Sequence, residues 1–367
     1  MAAEDLLSGL KILINKKYFT QDEYNRAIKR HKYLSYESSD RPEMIDTTKQ
    51  KLKGKALSIL CHLRNYGFFI SYLNSREEIF NEEAFILIKK LHSIVELVMS
   101  SEIRKFEIAQ LEEESIVYLN MRKNLRDETE VMLRAKPKTH YISHYGEAMS
   151  LYGPLVGVWT ARYEAKHRVA KMMSTSAKNF INISKTLAVR QQFRQASIMY
   201  SGLYETEDIK LPATGVRMKS DLPVVNEESS IYNKLRGFMD QETVLCDEIR
   251  YKGQKYKTED IVVIEARHRN FCKVGVIQAI LVKSETVYFL IMKYDAFRDE
   301  NLQFFEASPP DLDQEQQSVL CFIQANNITD YKPLIKHGNV TKFRFTLHHH
   351  ISVSCTTNNF CFDPTQL

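Results

Sequence analysis

The chain has 367 residues, 44% of them hydrophobic and 26% charged, with 12 glycines, 9 prolines and a formal net charge of +5. That length supports a buried interior without disulfides or metal, and the composition excludes disordered and collagen-like chains. No run approaches the roughly 18 uninterrupted apolar residues of a membrane helix, and the start, Met1-Ala-Ala-Glu-Asp5, is acidic where a signal peptide is basic, so secretory and membrane classes are set aside.

The first two hundred residues read as helical. Residues 18–36 and 52–73 are helical stretches separated by the extended break at Arg41-Pro42. The next helix starts near Phe80, with Asn81 as its cap, Glu82 and Glu83 in the first turn, and Phe80 stapled to Phe85. Phe85, Ile88, Leu91, Val95 and Val98 repeat at a helical period and mark its core face. Residues 101–126 form another helix, with Ile103, Phe106, Leu111 and Met121 among charges and Glu112-Glu113-Glu114 expected on a solvated face. Lys136-Pro137 and Gly153-Pro154 interrupt the pattern, which resumes over 160–195 with Thr160 as candidate cap. Trp159, the single tryptophan, is expected to anchor that helix on the core.

Beyond about residue 205 the period changes from helix to strand. Residues 274–282 and 286–294 read as a β-hairpin with its turn at 283–285, and 261–265, 302–306, 318–323 and 342–347 are further strands. The pattern predicts an α+β protein: a mostly helical region over 1–205, a linker over 206–240, a small β-barrel or sandwich over 241–355 and a loose tail over 356–367. There is no internal repeat.

The charge is divided unevenly. Residues 1–130 sum to zero, residues 131–195 to +9 and residues 196–367 to −4. Between Thr160 and about Gln195, Arg162, Lys166, Arg168, Lys171, Lys178, Lys185, Arg190 and Arg194 face a single acid, Glu164. Such a local excess suits a polyanion such as a nucleic-acid backbone; it also suits a solvated helix face docked on the acidic C-terminal part. Glu164, His167, Arg168 and Lys171 lie at i, i+3, i+4 and i+7 on one helix side, where a carboxylate can hold a divalent metal and the cations can meet phosphates, or where Glu164 and Arg168 simply pair.

Other constellations are weaker. His140 and His144 are spaced for a metal on a helix, but Pro137 and Gly146 make that helix short and no third ligand is apparent, so packing or hydrogen bonding is expected. His348-His349-His350 alternate faces on an expected strand and cannot all converge on one ion. Cys61, next to His62 in a helical stretch, is expected to be buried as a small hydrophobe. The six cysteines, Cys61, Cys246, Cys272, Cys321, Cys355 and Cys361, contain no Cys-x-x-Cys pair, which points to a reducing compartment, and no Walker loop, G-x-S-x-G or G-x-G-x-x-G occurs.

One stretch carries a family likeness. Lys136-Pro-Lys-Thr-His140, Tyr141, His144-Tyr145, Gly153-Pro-Leu155, Trp159-Thr-Ala-Arg-Tyr-Glu164-Ala-Lys-His167, Asn179-Phe, Asn182, Thr186-Leu-Ala188 and Arg190-Gln-Gln192 resemble the C-terminal part of animal CACTA-type (En/Spm-like) DNA transposases. Upstream, Asp5-Leu-Leu-x-Gly9 is similar to the element that precedes the family's helical insertion, with Glu4 in place of its His and Ser8 in place of its acid. Downstream, the region after Lys252-Gly253-Gln254 resembles the family's terminal β domain.

The resemblance implies a ribonuclease-H-like strand-transfer ancestry, in which carboxylates hold two magnesium ions around a phosphodiester. Glu164 stands at the family's last acidic position, and Asp5 at the place of an earlier acid. The resemblance places further strands and a first catalytic aspartate ahead of Asp5, and with this sequence starting at Met1 the implied site is expected to be incomplete. Three readings stay open. The first is a non-catalytic, host-adopted transposon-derived protein of nuclear or nucleocytoplasmic location, whose Arg162, Lys166, His167, Arg168, Lys171, Lys178, Lys185, Arg190 and Arg194 meet DNA phosphates while its β domain meets a protein partner. The second is a fragment of an active, magnesium-dependent transposase, and the third is a protein-interaction scaffold that binds no nucleic acid.

Overall fold

The computed structural model describes residues 2–34, 37–73, 77–128, 137–177, 181–201, 209–212, 214–218, 230–309, 319–339, 342–352 and 360–361. Among the described residues about 48% are helical and 23% are strand, an α+β protein. The helices are α1 (Ala2–Asn15), α2 (Gln21–Arg30), α3 (Ala56–Arg64), α4 (Tyr66–Ser71), α5 (Glu83–Val98), α6 (Lys105–Glu128), α7 (Pro137–His140), α8 (Tyr145–Tyr152), α9 (Ala161–Ala177), α10 (Ile183–Tyr200) and α11 (Ser230–Phe238).

α5 is the axis of the helical part. Phe85, Ile88 and Leu91 are buried as their period predicts, but so are Ile94, Leu97, His92, Ser93 and Glu96, and Val95 and Val98 are only partly covered. A helix covered on almost every side lies at a centre, and its neighbours here are α1, α3 and α6. Gly9 permits the close approach of α1, since a Cβ there would press on the Ile88 side chain. α6 contributes Leu111, Tyr118 and Leu125, one seam at seven-residue spacing. Two details of the reading change. Asn81 does not cap α5: the cap is Glu82, after a 3-10 turn over Glu77–Asn81, although Phe80 and Phe85 do pack at 5.4 Å. Glu114 does not share the solvated face of Glu112 and Glu113; it is buried and paired with Arg269 at 2.8 Å.

The sheet is built on a long hairpin. Its main strands are β1 (Val244–Cys246), β2 (Glu248–Tyr251), β3 (Gln254–Lys257), β4 (Ile261–His268), β5 (Phe271–Lys283), β6 (Thr286–Arg298), β7 (Phe305–Ser308), β8 (Leu320–Gln324), β9 (Asp330–Leu334) and β10 (Phe343–Phe345). The order β9-β4-β5-β6-β7-β10 is antiparallel, with β1 added to β5 and β8 to β6, while β2 and β3 pair apart from it. Ser284 and Glu285 turn the hairpin with φ of 47° and 60°, the left-handed pair that matches strand twist. Both faces are covered: Val262 and Ile277 enter one apolar cluster while Val263 and Val276 enter another. That double burial explains why 274–282 reads as an almost unbroken apolar run.

The predicted linker is only partly a connection. α11 lies inside it, and Leu235 and Met239 join Leu245, Leu281, Leu290 and Leu320 in a buried cluster, with Phe238 stacked on Phe322 at 4.1 Å. Residues 348–350 are not on a strand either, because β10 ends at Phe345 and the chain then runs irregularly into the helical part. There His350 N donates to the Glu96 carbonyl (3.1 Å), its Nε2 meets Glu107 Oε1 (2.6 Å), and Ser352 Oγ donates to Glu107 Oε2 (2.6 Å). Arg298 Nη2 donates to Glu96 Oε2 at 2.6 Å, and Phe68 stacks on Phe304 at 4.9 Å. Helices and sheet are therefore joined by buried, charge-assisted contacts.

Candidate nucleic-acid interface

From Ala165 to Tyr204 the sequence contains no Asp or Glu, while Lys166, Arg168, Lys171, Lys178, Lys185, Arg190 and Arg194 fall in that interval. The structure folds most of it into a helical hairpin rather than the single helix predicted over 160–195. α9 ends at Ala177, and α10 begins after Asn182, whose Oδ1 accepts the Lys185 amide at 3.4 Å. A side-chain oxygen at that position satisfies one of the first amides of a helix, which is why the chain restarts there. Arg190 ties the two helices, donating to the Met173 carbonyl (3.3 Å) and Ser176 Oγ (3.2 Å) in the last turn of α9. A cation at a helix C-terminus also meets the negative end of its dipole.

The two helices take each other as main packing partner. No residue of α10 is buried. His167, Arg168, Lys171, Lys185, Arg190 and Arg194 are all exposed, and among the described residues no carboxylate is in ion-pair range of the five Lys and Arg side chains. Arg162, Glu164 and Lys166 lie on α9, with side chains outside the described residues, as is Lys178 altogether. Exposed apolar groups sit among the cations, notably Phe193 at 71% exposure and Ile181 at 96%. Trp159, just before α9, is half-buried.

Asp5 lies elsewhere and is only 1% exposed. Its carboxylate accepts from Arg122 Nε and Nη2, both at 3.0 Å, and from the Tyr118 hydroxyl. With both oxygens committed to protein donors, Asp5 does not fit a magnesium ligand in this arrangement. Among the described residues no group of three or more His, Cys, Asp and Glu is placed to hold a metal ion. His140 and His144 hydrogen-bond each other through Nε2 at 3.1 Å, with Glu147 at 3.4 Å from His144 Nδ1. Cys61 is buried, and burial pushes its thiol up to about 12, which leaves it unreactive.

Sequence reasoning missed Arg122, Glu96, Glu107 and Arg298 as buried charges. Each looks like any other surface charge in its own segment, and its partner stands far away in the chain.

No protein family, curated protein or solved structure matches the chain. No described helix is long and apolar enough to cross a membrane.

Proposed function

We propose that this chain is a transposon-derived protein that binds the DNA backbone through the α9–α10 hairpin and meets a protein partner through its β-rich part. In this reading α1–α6 derive from the helical insertion of a ribonuclease-H-like transposase, α9 from its last catalytic helix, and the strands from the small barrel or sandwich domain at its end. The protein acts in the nucleus or shuttles to it, and the reading assigns it no strand cleavage of its own.

The observation that carries the reading is the exposed hairpin, cationic and free of carboxylates for forty residues, with no internal neutralising partner among the described side chains. Clustered cations held at fixed spacing on helices release counterions from a phosphate backbone, and that release drives sequence-independent binding. The scaffold alternative would have the acidic C-terminal part neutralise these residues, and the described ion pairs of that part go elsewhere: Asp240 to Lys283, Glu248 to Lys255, Glu306 to Lys342 and Arg344. Electrophoretic retention of an arbitrary duplex, repeated at rising salt, tests the reading. Retention that weakens steeply with salt supports it, and absence of retention at low salt removes it.

A further inference from the structure

A second cationic surface lies where the end of α2 meets a loop, in a region whose charges cancel on average. Residues of α2 and the following turn, together with residues 41–53, line a cleft of about 830 Å³. Lys29, Lys32, Arg41, Lys49, Lys51 and Lys53 stand on its walls against two carboxylates, Glu43 and Asp46. Asp46 is already committed, accepting from the Thr48 amide (2.9 Å) and hydroxyl (2.6 Å), which hold its carboxyl below the usual range. Among the described residues none of the six cations has a carboxylate in ion-pair range.

The loop is fixed although it has no regular structure. Asn25 brackets Ile45, donating from Nδ2 to its carbonyl (3.1 Å) and accepting its amide at Oδ1 (2.8 Å). Gln21 Oε1 accepts both the amide and the hydroxyl of Thr47, Ser58 Oγ donates to the Arg41 carbonyl, and the Leu52 amide donates to the Ala3 carbonyl. Ile45 and Leu52 are buried beneath it. Lysines 51 and 53 are therefore presented from a backbone that is held in place, flanking the buried Leu52. Like charges gathered around one concavity repel, and the site relaxes when an anion enters. The walls also carry an organic face: the Tyr33 ring, with the Arg41 guanidinium 5.6 Å from its centroid, and the exposed Met44. Guanidinium planes and aromatic rings are the groups on which nucleobases stack. The volume suits one small ligand and is too small to admit a duplex.

We propose that this cleft binds a nucleoside phosphate unit, either a free nucleotide or one unit of a single nucleic-acid strand. The assignment goes beyond the hairpin and uses none of its residues. Its test is binding of fluorescent ATP, oligothymidylate and inorganic triphosphate to the full chain, compared with the Lys32→Glu/Lys51→Glu/Lys53→Glu variant. The corresponding triple Arg variant and the hairpin variant Arg168→Glu/Lys171→Glu/Arg194→Glu serve as controls, with melting temperature and helicity confirming that each folds.

The expected result is nucleotide or oligothymidylate binding that weakens roughly tenfold or more in the Glu variant, and persists in the Arg variant and the hairpin variant. Oligothymidylate that ATP displaces assigns free nucleotide and strand to the same cleft; oligothymidylate binding without ATP binding assigns the strand alone. Absence of both in the wild type, or unchanged binding in the Glu variant, would overturn the site. Inorganic triphosphate binding as tightly as ATP would overturn the nucleoside assignment. Loss of duplex retention in the hairpin variant with intact nucleotide binding separates this proposal from the reading of α9–α10.

Discussion

Arg122 and Asp5 form a two-point ion pair in the interior of the helical part, with the Tyr118 hydroxyl as a third contact. Removing one member leaves the other charge buried without compensation, a loss of about 3–5 kcal/mol, whereas replacing both with apolar groups restores much of it. Asp5→Ala should therefore lower the urea midpoint far more than the double variant Asp5→Ala/Arg122→Met. Equal midpoints for wild type and Asp5→Ala would contradict the structural role. Gly67 makes a sharper steric case. It lies in α4, where alanine normally favours the helix by about 1 kcal/mol, yet a Cβ would collide with the backbone carbonyl of Leu302. Gly67→Ala should thus destabilise, by at least about 1–3 kcal/mol, because backbone cannot swing aside as a side chain can. A melting temperature at or above wild type would show that Leu302 does not sit there.

Among the elements, the hairpin stands apart because, Arg190 excepted, its described cations hold no other part of the fold. Arg168, Lys171 and Arg194 are exposed and, among the described residues, without ion partners, so reversing all three should leave helicity unchanged and stability within about 0.5 kcal/mol per site. The same change should cut the salt dependence of DNA retention by roughly one contact per residue. Much of this element was legible beforehand: the density of Lys and Arg and the lack of acids are facts of composition. Its fold-back was less so, since only Asn182, a modest capping signal, marks the break. α11 was hidden differently. Ile231, Leu235 and Phe238 keep a helical spacing, but Pro212, Gly215 and Pro223 nearby give the stretch the look of a linker. The cleft cations vanished in averaging, because residues 1–130 balance to zero while most of their acids sit away from the cleft. The β5–β6 hairpin was read correctly because turn and strand chemistry are both local. Glu107 and His350 are separated by 243 positions, and no local period announces such a pair.

Across the whole molecule, burial of neutral imidazoles makes stability depend on pH. Desolvation lowers His31 and His62 to about 3, and His92 and His337 to about 4. Each takes up a proton near its ordinary value of about 6.5 when unfolded, but stays neutral when folded until far lower pH. The unfolded state therefore binds more protons below pH ~6.5, and stability falls as pH drops, by up to ~1.4 kcal/mol per pH unit for each such group. Glu96 adds to the loss further down: burial opposes its charge, but Arg298 and His92 hold its carboxyl at about 2, so the unfolded state gains the proton first between pH ~4.5 and 2. Urea midpoints at pH 7, 6 and 5 should decline in that order; a flat series would mean these histidines are not buried in the folded protein.

The molecule as a whole is read as a polar-jointed α+β body that presents a cationic hairpin to DNA. Retention of an arbitrary duplex by the wild-type chain and by Arg168→Glu/Lys171→Glu/Arg194→Glu, each at about 50 and 200 mM salt, tests that reading most directly. The expected result is strong wild-type retention at low salt that collapses at high salt, and little retention by the folded variant at either. Equal retention by the two proteins, or retention indifferent to salt, would contradict it.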